Sequence, residues 1–289
     1  MLSVIIITLN SIKFIEACLE SLFTQDYRDF EVIVVDNGSR DDTAELVRER
    51  YPDVAVIQNE RNLGAAKARN QGIEIAKGEW VVTLDCDTVL EKNFLTSIAA
   101  RISTASEDTG MIQPKILQSD KKTIYSCGIH LSGLKRFYDI GKGKKDSRYF
   151  NNVKPIFGPC SAAAAYKMKM LEDIKENYYY FDEAFFFLVE DVDLSLRAQH
   201  KGWKAVFYPK AICYHYGNSS YSTKPYRQYL CWRNRRFLLK KLRLNRLKSF
   251  IIFVLYDVPR LLFLLLGNKY VRNELKNGII NSFHMNPVS

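Results

Sequence analysis

Residues 80–87, WVVTLDCD, run from an apolar segment straight into two aspartates one position apart. The run Trp80 to Leu84 predicts a buried strand, with Asp85, Cys86 and Asp87 at its carboxyl end. The same order, apolar run then polar turn, recurs towards the N-terminus. Residues 2–8, LSVIIIT, are mostly β-branched and long enough for a strand buried on both faces, ended by Asn10. Residues 31–35, EVIVV, predict a second strand stopped by Asp36-Asn37-Gly38-Ser39, and residues 54–58, VAVIQ, a third. Between them lie helical patterns. Phe14, Ile15, Cys18, Leu19 and Leu22 recur at spacings of three and four. Asp41 or Asp42 can cap a helix to about Arg50, Gly64 to Lys77 forms another with small residues on one side, and Glu91 to Arg101 a further one. Strands separated by such helices predict an α/β fold, doubly wound around a mainly parallel sheet. Ligands bind such sheets outside the carboxyl ends of the strands, so Thr8 to Asn10, Asp36 to Ser39 and Asp85 to Asp87 should meet at one edge.

With 289 residues and 47% hydrophobic content, the chain can bury one large core, with or without an appendage. Lys and Arg outnumber Asp and Glu by 42 to 32, a formal charge of +10, which favours phosphates, nucleic acid or an acidic membrane as partners without choosing among them. Cys18, Cys86, Cys127, Cys160, Cys213 and Cys231 have no CxxC spacing and read as reduced, buried thiols of a cytosolic protein. MLSVIIITLN lacks a basic leader and a cleavage site, so it reads as the first strand and not as a signal peptide.

Residues 104–180 are less regular, with many Gly and Pro and a basic stretch, Lys142, Lys144, Lys145 and Arg148, that reads as a loop. That loop is either solvated or laid over an anionic substrate. Order returns at residues 181–189, and Glu190-Asp191-Val192-Asp193 opens a helix ending at Lys201-Gly202. Residues 203–208 and 211–215 read as short strands around Pro209. Beyond Pro225 the chain turns basic, with interleaved Leu, Tyr, Trp and Phe, and continues into SFIIFVLYDVPRLLFLLLGN. A spanning helix needs about 20 apolar residues, and a central charge costs about 2.5–3.5 kcal/mol. Asp257, Pro259 and Arg260 interrupt this run, so two short apolar pieces are expected to form a hairpin in the membrane interface, drawn by acidic lipids. Packing back on the domain or on a second subunit is the alternative. Leucines at helical spacing argue against nucleic acid as the partner. The expected division is a larger α/β domain at 1–220 and a helical region at 221–289.

Asp85 and Asp87 together suit a hard divalent cation, magnesium or manganese, that bridges their oxygens to a diphosphate; without one, carboxylates and phosphates repel. Two turn aspartates capping the next helix are the plainer reading. Asp36 can accept from a base N–H or a ribose hydroxyl, though it is also an ordinary turn former. Residues 62–70, NLGAAKARN, begin a helix near the same edge, leaving Lys67 or Arg69 free to face phosphates; neither GxxxxGK[ST] nor a strand-first GxGxxG occurs there. Glu190-Asp191 offers a carboxylate to take a proton from an acceptor hydroxyl, against a purely structural role at the helix dipole. His215 is a further candidate metal or phosphate contact.

Five blocks carry a family resemblance: SVIIITLN at 3–10, VVDNGSRDDT at 34–43, NLGAAKARNQGI at 62–73, GEWVVTLDCDT at 78–88 and FLVEDVDLSLRAQHKGW at 187–203. In this order they resemble the family 2 inverting glycosyltransferases of the GT-A fold, near the rhamnosyltransferase-like members, over most of residues 1–217. The resemblance implies that Asp36 contacts the nucleotide base, Asp85 and Asp87 the metal and diphosphate, and that Asp191 is the catalytic base. Asn10, Asp41 and Arg69 would shape the nucleotide pocket, next to Thr8, and His215, also a candidate metal contact, would lie near the diphosphate. FGPCSAAAAYKMKML aligns with a loop and helix that recognise donor or acceptor, without residue-level transfer. The expected reaction moves a sugar from a nucleoside diphosphate donor to an acceptor hydroxyl with inversion, in cell-surface polysaccharide, lipid-linked oligosaccharide or glycoprotein glycan assembly. A lipid-linked acceptor gives the C-terminus a purpose, and the expected location is cytoplasmic, peripheral on the inner face of the cell membrane. The rivals are a non-catalytic nucleotide-sugar or glycan-binding module and a sugar-phosphate nucleotidyltransferase. The latter needs a glycine- and lysine-rich loop after the first strand, and TLNSIKF has no glycine.

Overall fold

β-Branched runs at the start of the chain form the strands they predict. The structure, a computed structural model, describes residues 1–217, 222–242 and 244–276. β1 (Leu2–Thr8) is buried along nearly its whole length and pairs in parallel with β2 (Phe30–Asp36). The helix α1 (Ile15–Phe23) connects them, α2 (Thr43–Arg50) leads to β3 (Ala55–Gln58), and α3 (Ala65–Ile75) leads to β4 (Trp80–Asp85). β3 extends β2 in parallel, while β4 pairs in parallel with the other side of β1. The direction in which the sheet grows therefore reverses at β1, the topological switch point where such sheets open a crevice. Thr8 lies opposite Asp36 there, and Ile7 opposite Asp85. The small side of α3 has a purpose: a Cβ on Gly72 would meet Ile5 Cγ2 at 2.5 Å.

The middle of the chain supplies the other half of the sheet, a correction to the irregular segment expected at 104–180. After β5 (Thr88–Leu90) and α4 (Phe94–Ser103) come β6 (Thr109–Gln118), β7 (Ile124–Ser126), β8 (Ile129–Leu131) and β9 (Phe137–Asp139). β10 (Lys154–Ile156), β11 (Ala163–Lys167), α5 (Met168–Asp173), α6 (Glu190–His200) and β12 (Lys204–His215) follow. The strand order is β10-β12-β6-β11-β4-β1-β2-β3, with β5 on β12 and β7 on β6. β12 runs parallel to β6, whereas β11 is antiparallel to both its neighbours, so the sheet is mixed but mostly parallel along its main path. Helices cover both faces: α1 and α4 pack on one core cluster, α3, α5 and α6 on the other. The two short strands expected around Pro209 are one. A register shift between Tyr208 and Ile212 takes up Pro209, whose missing N–H then breaks no ladder bond.

The chain divides into two units, Met1–Ser132 with Arg136–Ser220, and Gly133–Lys135 with Tyr221–Ser289. In the second, α7 (Lys224–Lys241) starts at Thr223, whose hydroxyl accepts from Tyr226 N at 3.4 Å. The apolar run after it is not the expected hairpin. α8 (Arg246–Ile252), a π-helical turn (Phe253–Asp257) and α9 (Val258–Gly267) form one unbroken helix, followed by α10 (Lys269–Lys276). Asp257 does not break it because its carboxylate is 2.7 Å from Arg235 Nε, and Arg235 also donates to the carbonyls of Leu134 and Lys135. Pro259 is accommodated in the first turn of α9, directly after the widened π turn. The 22 residues from Arg246 to Gly267 have a mean hydropathy of 2.1 over their most apolar window, of which 11% is buried. By length and composition alone, that helix is sufficient to cross a membrane.

Candidate functional site

β4 ends in Asp85, and the turn after it carries Asp87; His215 ends β12. Pairing of β5 with β12 sets His215 opposite Thr88, the residue after Asp87. The imidazole Nε2 lies 3.4 Å from both Asp85 Oδ2 and Asp87 Oδ1. One donor atom from each of the three residues lies within 4.8 Å of the others. Asp87 and His215 are buried while Asp85 is partly exposed, so the cluster opens on one side. Desolvation opposes a charged His215, but the Asp85 and Asp87 carboxylates outweigh it and raise its pKa. Two carboxylates and an imidazole converging on one point fit a divalent cation, whose charge removes the repulsion between them.

The residues expected to shape a nucleotide pocket are tied to one another. Asp36 is fully buried at the end of β2, and burial raises its pKa despite hydrogen bonds from the Ser39 hydroxyl and from Ser39 N at 3.2 Å. Asn10, in the left-handed region at φ 50°, accepts from Arg40 N at 2.7 Å and donates its own N–H to Ser39 Oγ at 2.8 Å. Asp41 accepts from Ile12 N at 3.3 Å and from Thr43 N at 3.3 Å. The turns after β1 and β2 are thereby locked together, with Thr8 at their base.

Arg69 is not free to face phosphates, as the sequence had implied. It is 3% exposed; its guanidinium is 2.7 Å from Glu190 Oε1 and 3.1 Å from Asp85 Oδ1. Lys67 is 3.1 Å from Glu183. Arg69 thus braces the end of β4 against the first turn of α6, where Glu190 is buried and Asp191 only half-buried. The Asp191 carboxylate accepts from Ser161 N at 3.3 Å and Val192 N at 2.8 Å. Burial first, then the Glu190 charge, pushes its pKa up to about 7 against the pull of Arg69. A carboxylate poised near neutrality, reachable from solvent, can accept a proton from a bound hydroxyl. The turn leading into α6 is strained: Phe186, Leu188 and Val189 have φ of 63°, 67° and 76°.

Residues outside the site expected from the sequence complete the surroundings. Ser161, from the loosely patterned FGPCS segment, orients Asp191. Tyr125 in β7 stacks on the His215 ring with centroids 4.2 Å apart. Lys142 Nζ lies 4.7 Å from the Tyr125 ring centre and 2.8 Å from Asp139 Oδ2. The basic run 142–148 was a signal for Lys142; nothing in the sequence marked Tyr125 or Asp139.

Residues 3–175 match the family described as glycosyl transferase family 2. The chain is similar to the glycosyltransferase GlyG of Streptococcus pneumoniae serotype 4, 31% identical over 111 residues, 37% of this chain and 37% of that protein. Across GlyG and two further curated glycosyltransferases, the match covers only 26% to 41% of each protein's length. Among solved structures, S. aureus TarS 1–349 in complex with UDP-GlcNAc aligns with a TM-score of 0.58 at 24% identity, over 93% of this chain and 74% of that one. The mannosyltransferase PcManGT from Pyrobaculum calidifontis, in complex with GDP-Man and Mn2+, aligns with a TM-score of 0.57 at 18% identity, over 98% and 81%. At these identities the likeness is one of fold, the GT-A arrangement of a mixed sheet between helices.

Proposed function

We propose, from the premise that this chain belongs to glycosyl transferase family 2, that it transfers a sugar from a nucleoside diphosphate donor to an acceptor hydroxyl, with inversion. The observation that carries this reading is the Arg69 brace, which joins the Asp85–Asp87–His215 cluster to the turn bearing Asp191. A cation site for a diphosphate and a base near neutral pH thus share one edge of the sheet.

Asp85, Asp87 and His215 are the residues to hold magnesium or manganese, and the imidazole, softer than a carboxylate, favours manganese. When bound, the ion supplies charge neutralisation for the departing nucleoside diphosphate. Asp36, Asn10, Asp41 and Thr8 form the nucleotide side of the pocket. Asp191 takes the acceptor hydroxyl proton as that oxygen bonds to the anomeric carbon and the bond from that carbon to the diphosphate oxygen breaks. Attack from the face opposite the leaving group inverts the anomeric centre. Uridine and guanosine diphosphate sugars are the donors to try first, because TarS and PcManGT are described with UDP-GlcNAc and GDP-Man. Membership of glycosyl transferase family 2 favours the enzyme over a non-catalytic module.

The reading extends to a peripheral membrane role, on the inner face of the cell membrane, with a lipid-linked acceptor; the composition of the second unit supports contact with a membrane. Leu247, Phe250, Leu255, Leu262, Phe263 and Leu266 are exposed along its apolar helix, and α7 before it is rich in Lys and Arg.

The test is nucleoside diphosphate release from a panel of UDP- and GDP-sugars with manganese, magnesium or chelator. Wild type is expected to release product with metal, and Asp85→Ala/Asp87→Ala and Asp191→Asn to lose it. Release that survives both chelator and Asp191→Asn would overturn the mechanism.

A further inference from the structure

We infer that Lys142 is a donor-binding residue, its ammonium contacting the diphosphate beside the Asp85–Asp87–His215 cluster. This rests on the donor-site reading above. Lys142 stands between Gly141 and Gly143, both in the left-handed region at φ 80° and 77°. That turn is fixed and not a loose loop. Gly143 N donates to Ile124 O at 2.9 Å, Lys144 N to Gly141 O at 2.9 Å, and Ile124 N to Lys144 O at 2.8 Å. A Cβ on Gly141 would meet Phe150 at 2.9 Å, so the turn is seated on the core. The turn is thus sewn to β7, the strand that carries Tyr125.

Two contacts aim the ammonium. Its Nζ is held 4.7 Å from the centre of the Tyr125 ring, which in turn stacks on His215, and 2.8 Å from Asp139. The Lys142 side chain is nevertheless 52% exposed, so a ligand can reach it. Through the Tyr125 ring, the ammonium lies one aromatic layer from His215 of the cation cluster. Charge balance gives it a task. A divalent ion offsets Asp85 and Asp87, leaving the diphosphate's own charge to be met, while Arg69 is committed to Glu190 and Asp85. A lysine acting as a point charge on phosphate oxygens, preorganised by an aromatic face, meets it.

The experiment is calorimetric binding of UDP, or of GDP if UDP does not bind, to the full chain with manganese chloride, alongside the matching nucleoside monophosphate. Lys142→Met is expected to weaken diphosphate binding about tenfold or more, the monophosphate less, and to flatten the salt dependence. Lys142→Arg should restore affinity to within about threefold, and Tyr125→Leu should fall between. Manganese affinity and melting temperature should not change; if Lys142→Met lowers the melting temperature, Lys142→Gln replaces it. Wild-type affinity in Lys142→Met, with binding lost in Asp85→Ala/Asp87→Ala, would refute the role of Lys142 and leave the donor site standing. Binding unaffected by Asp85→Ala/Asp87→Ala, or no binding of either diphosphate to wild type, would instead remove the donor-site reading itself.

Discussion

Burial and the Glu190 charge push Asp191 up to about 7, and this has opposite consequences for activity and stability. As a base, Asp191 must be deprotonated. The kcat/KM of the wild type should therefore rise with pH through about 7 and level off above it, and Asp191→Asn should lose about 10²–10⁴-fold and the pH limb with it. A profile flat between pH 5.5 and 8.5 would rule Asp191 out. The stability sign is reversed. The folded pKa is raised above its unfolded value, so the folded state binds the proton more tightly, and ionising Asp191 costs stability at pH values above about 7. Asp191→Asn should thus melt higher than the wild type at pH 8 without metal, the advantage shrinking as pH falls towards 4. Equal melting temperatures at pH 8 would contradict the burial argument. Arg69 offers a separate test, because removing it strands Glu190, 4% exposed, without its partner. Arg69→Met should cost about 3–5 kcal/mol in urea unfolding, and Arg69→Met/Glu190→Gln much less. A double variant no more stable than the single one would show that the brace is not electrostatic.

The segment 157–162 reaches Asp191 only because Gly158 lets it lie against α6. A Cβ there would sit 1.9 Å from Ser195 Oγ and 2.3 Å from Ser195 Cβ, contacts that cannot exist. Gly158→Ala must push the loop outward, carrying Ser161 N away from the Asp191 carboxylate. It should cost about 1–3 kcal/mol and lower kcat, and Gly158→Ala/Ser195→Gly should regain part of both despite a glycine inside the helix. Failure of the double variant to recover any activity would separate the loop from catalysis. Such close approaches explain what the sequence hides. β1 to β4 are legible because unbroken β-branched runs have few alternatives to a buried parallel strand. β6 was missed because Gln113, Pro114 and Lys115 interrupt its apolar run. The fold satisfies them inside: Gln113 accepts from Cys160 N at 2.6 Å, and Lys115 lies 2.9 Å from Asp146 and 2.6 Å from Asn151. Asp85, Asp87, Asp191 and His215 could be singled out because each ends a strand, follows one in a short turn, or opens a helix. Tyr125 could not, since only the pairing of β7 on β6 sets it beside His215.

Charge and apolar surface divide along the chain in a way that bears on whether the protein meets a membrane. The hairpin expected from Asp257, Pro259 and Arg260 assumed free charges in an apolar run. Asp257 is instead paired with Arg235, and the Arg260 guanidinium lies 5.4 Å from the centre of the Phe263 ring, so one continuous apolar helix is retained. An exposed apolar face of this size is unfavourable in water, and a basic helix such as α7 is the kind of element that anionic headgroups attract. The full chain should therefore cosediment with vesicles containing phosphatidylglycerol and much less with pure phosphatidylcholine, and raising the salt should release part of the bound protein. Leu255→Asp/Leu262→Asp, both at exposed positions, should abolish the salt-resistant part while leaving nucleotide binding by the first unit unchanged. Alkaline carbonate then separates two depths of insertion: a helix lying in the interface is extracted, and one crossing the bilayer stays with the lipid. Extraction supports the peripheral reading, because 22 residues reach across a bilayer only when almost all of them enter the hydrocarbon, and the Arg235–Asp257 pair would have to enter with them. No binding to acidic vesicles at low salt would leave the apolar face to a protein partner and remove the case for a lipid-linked acceptor.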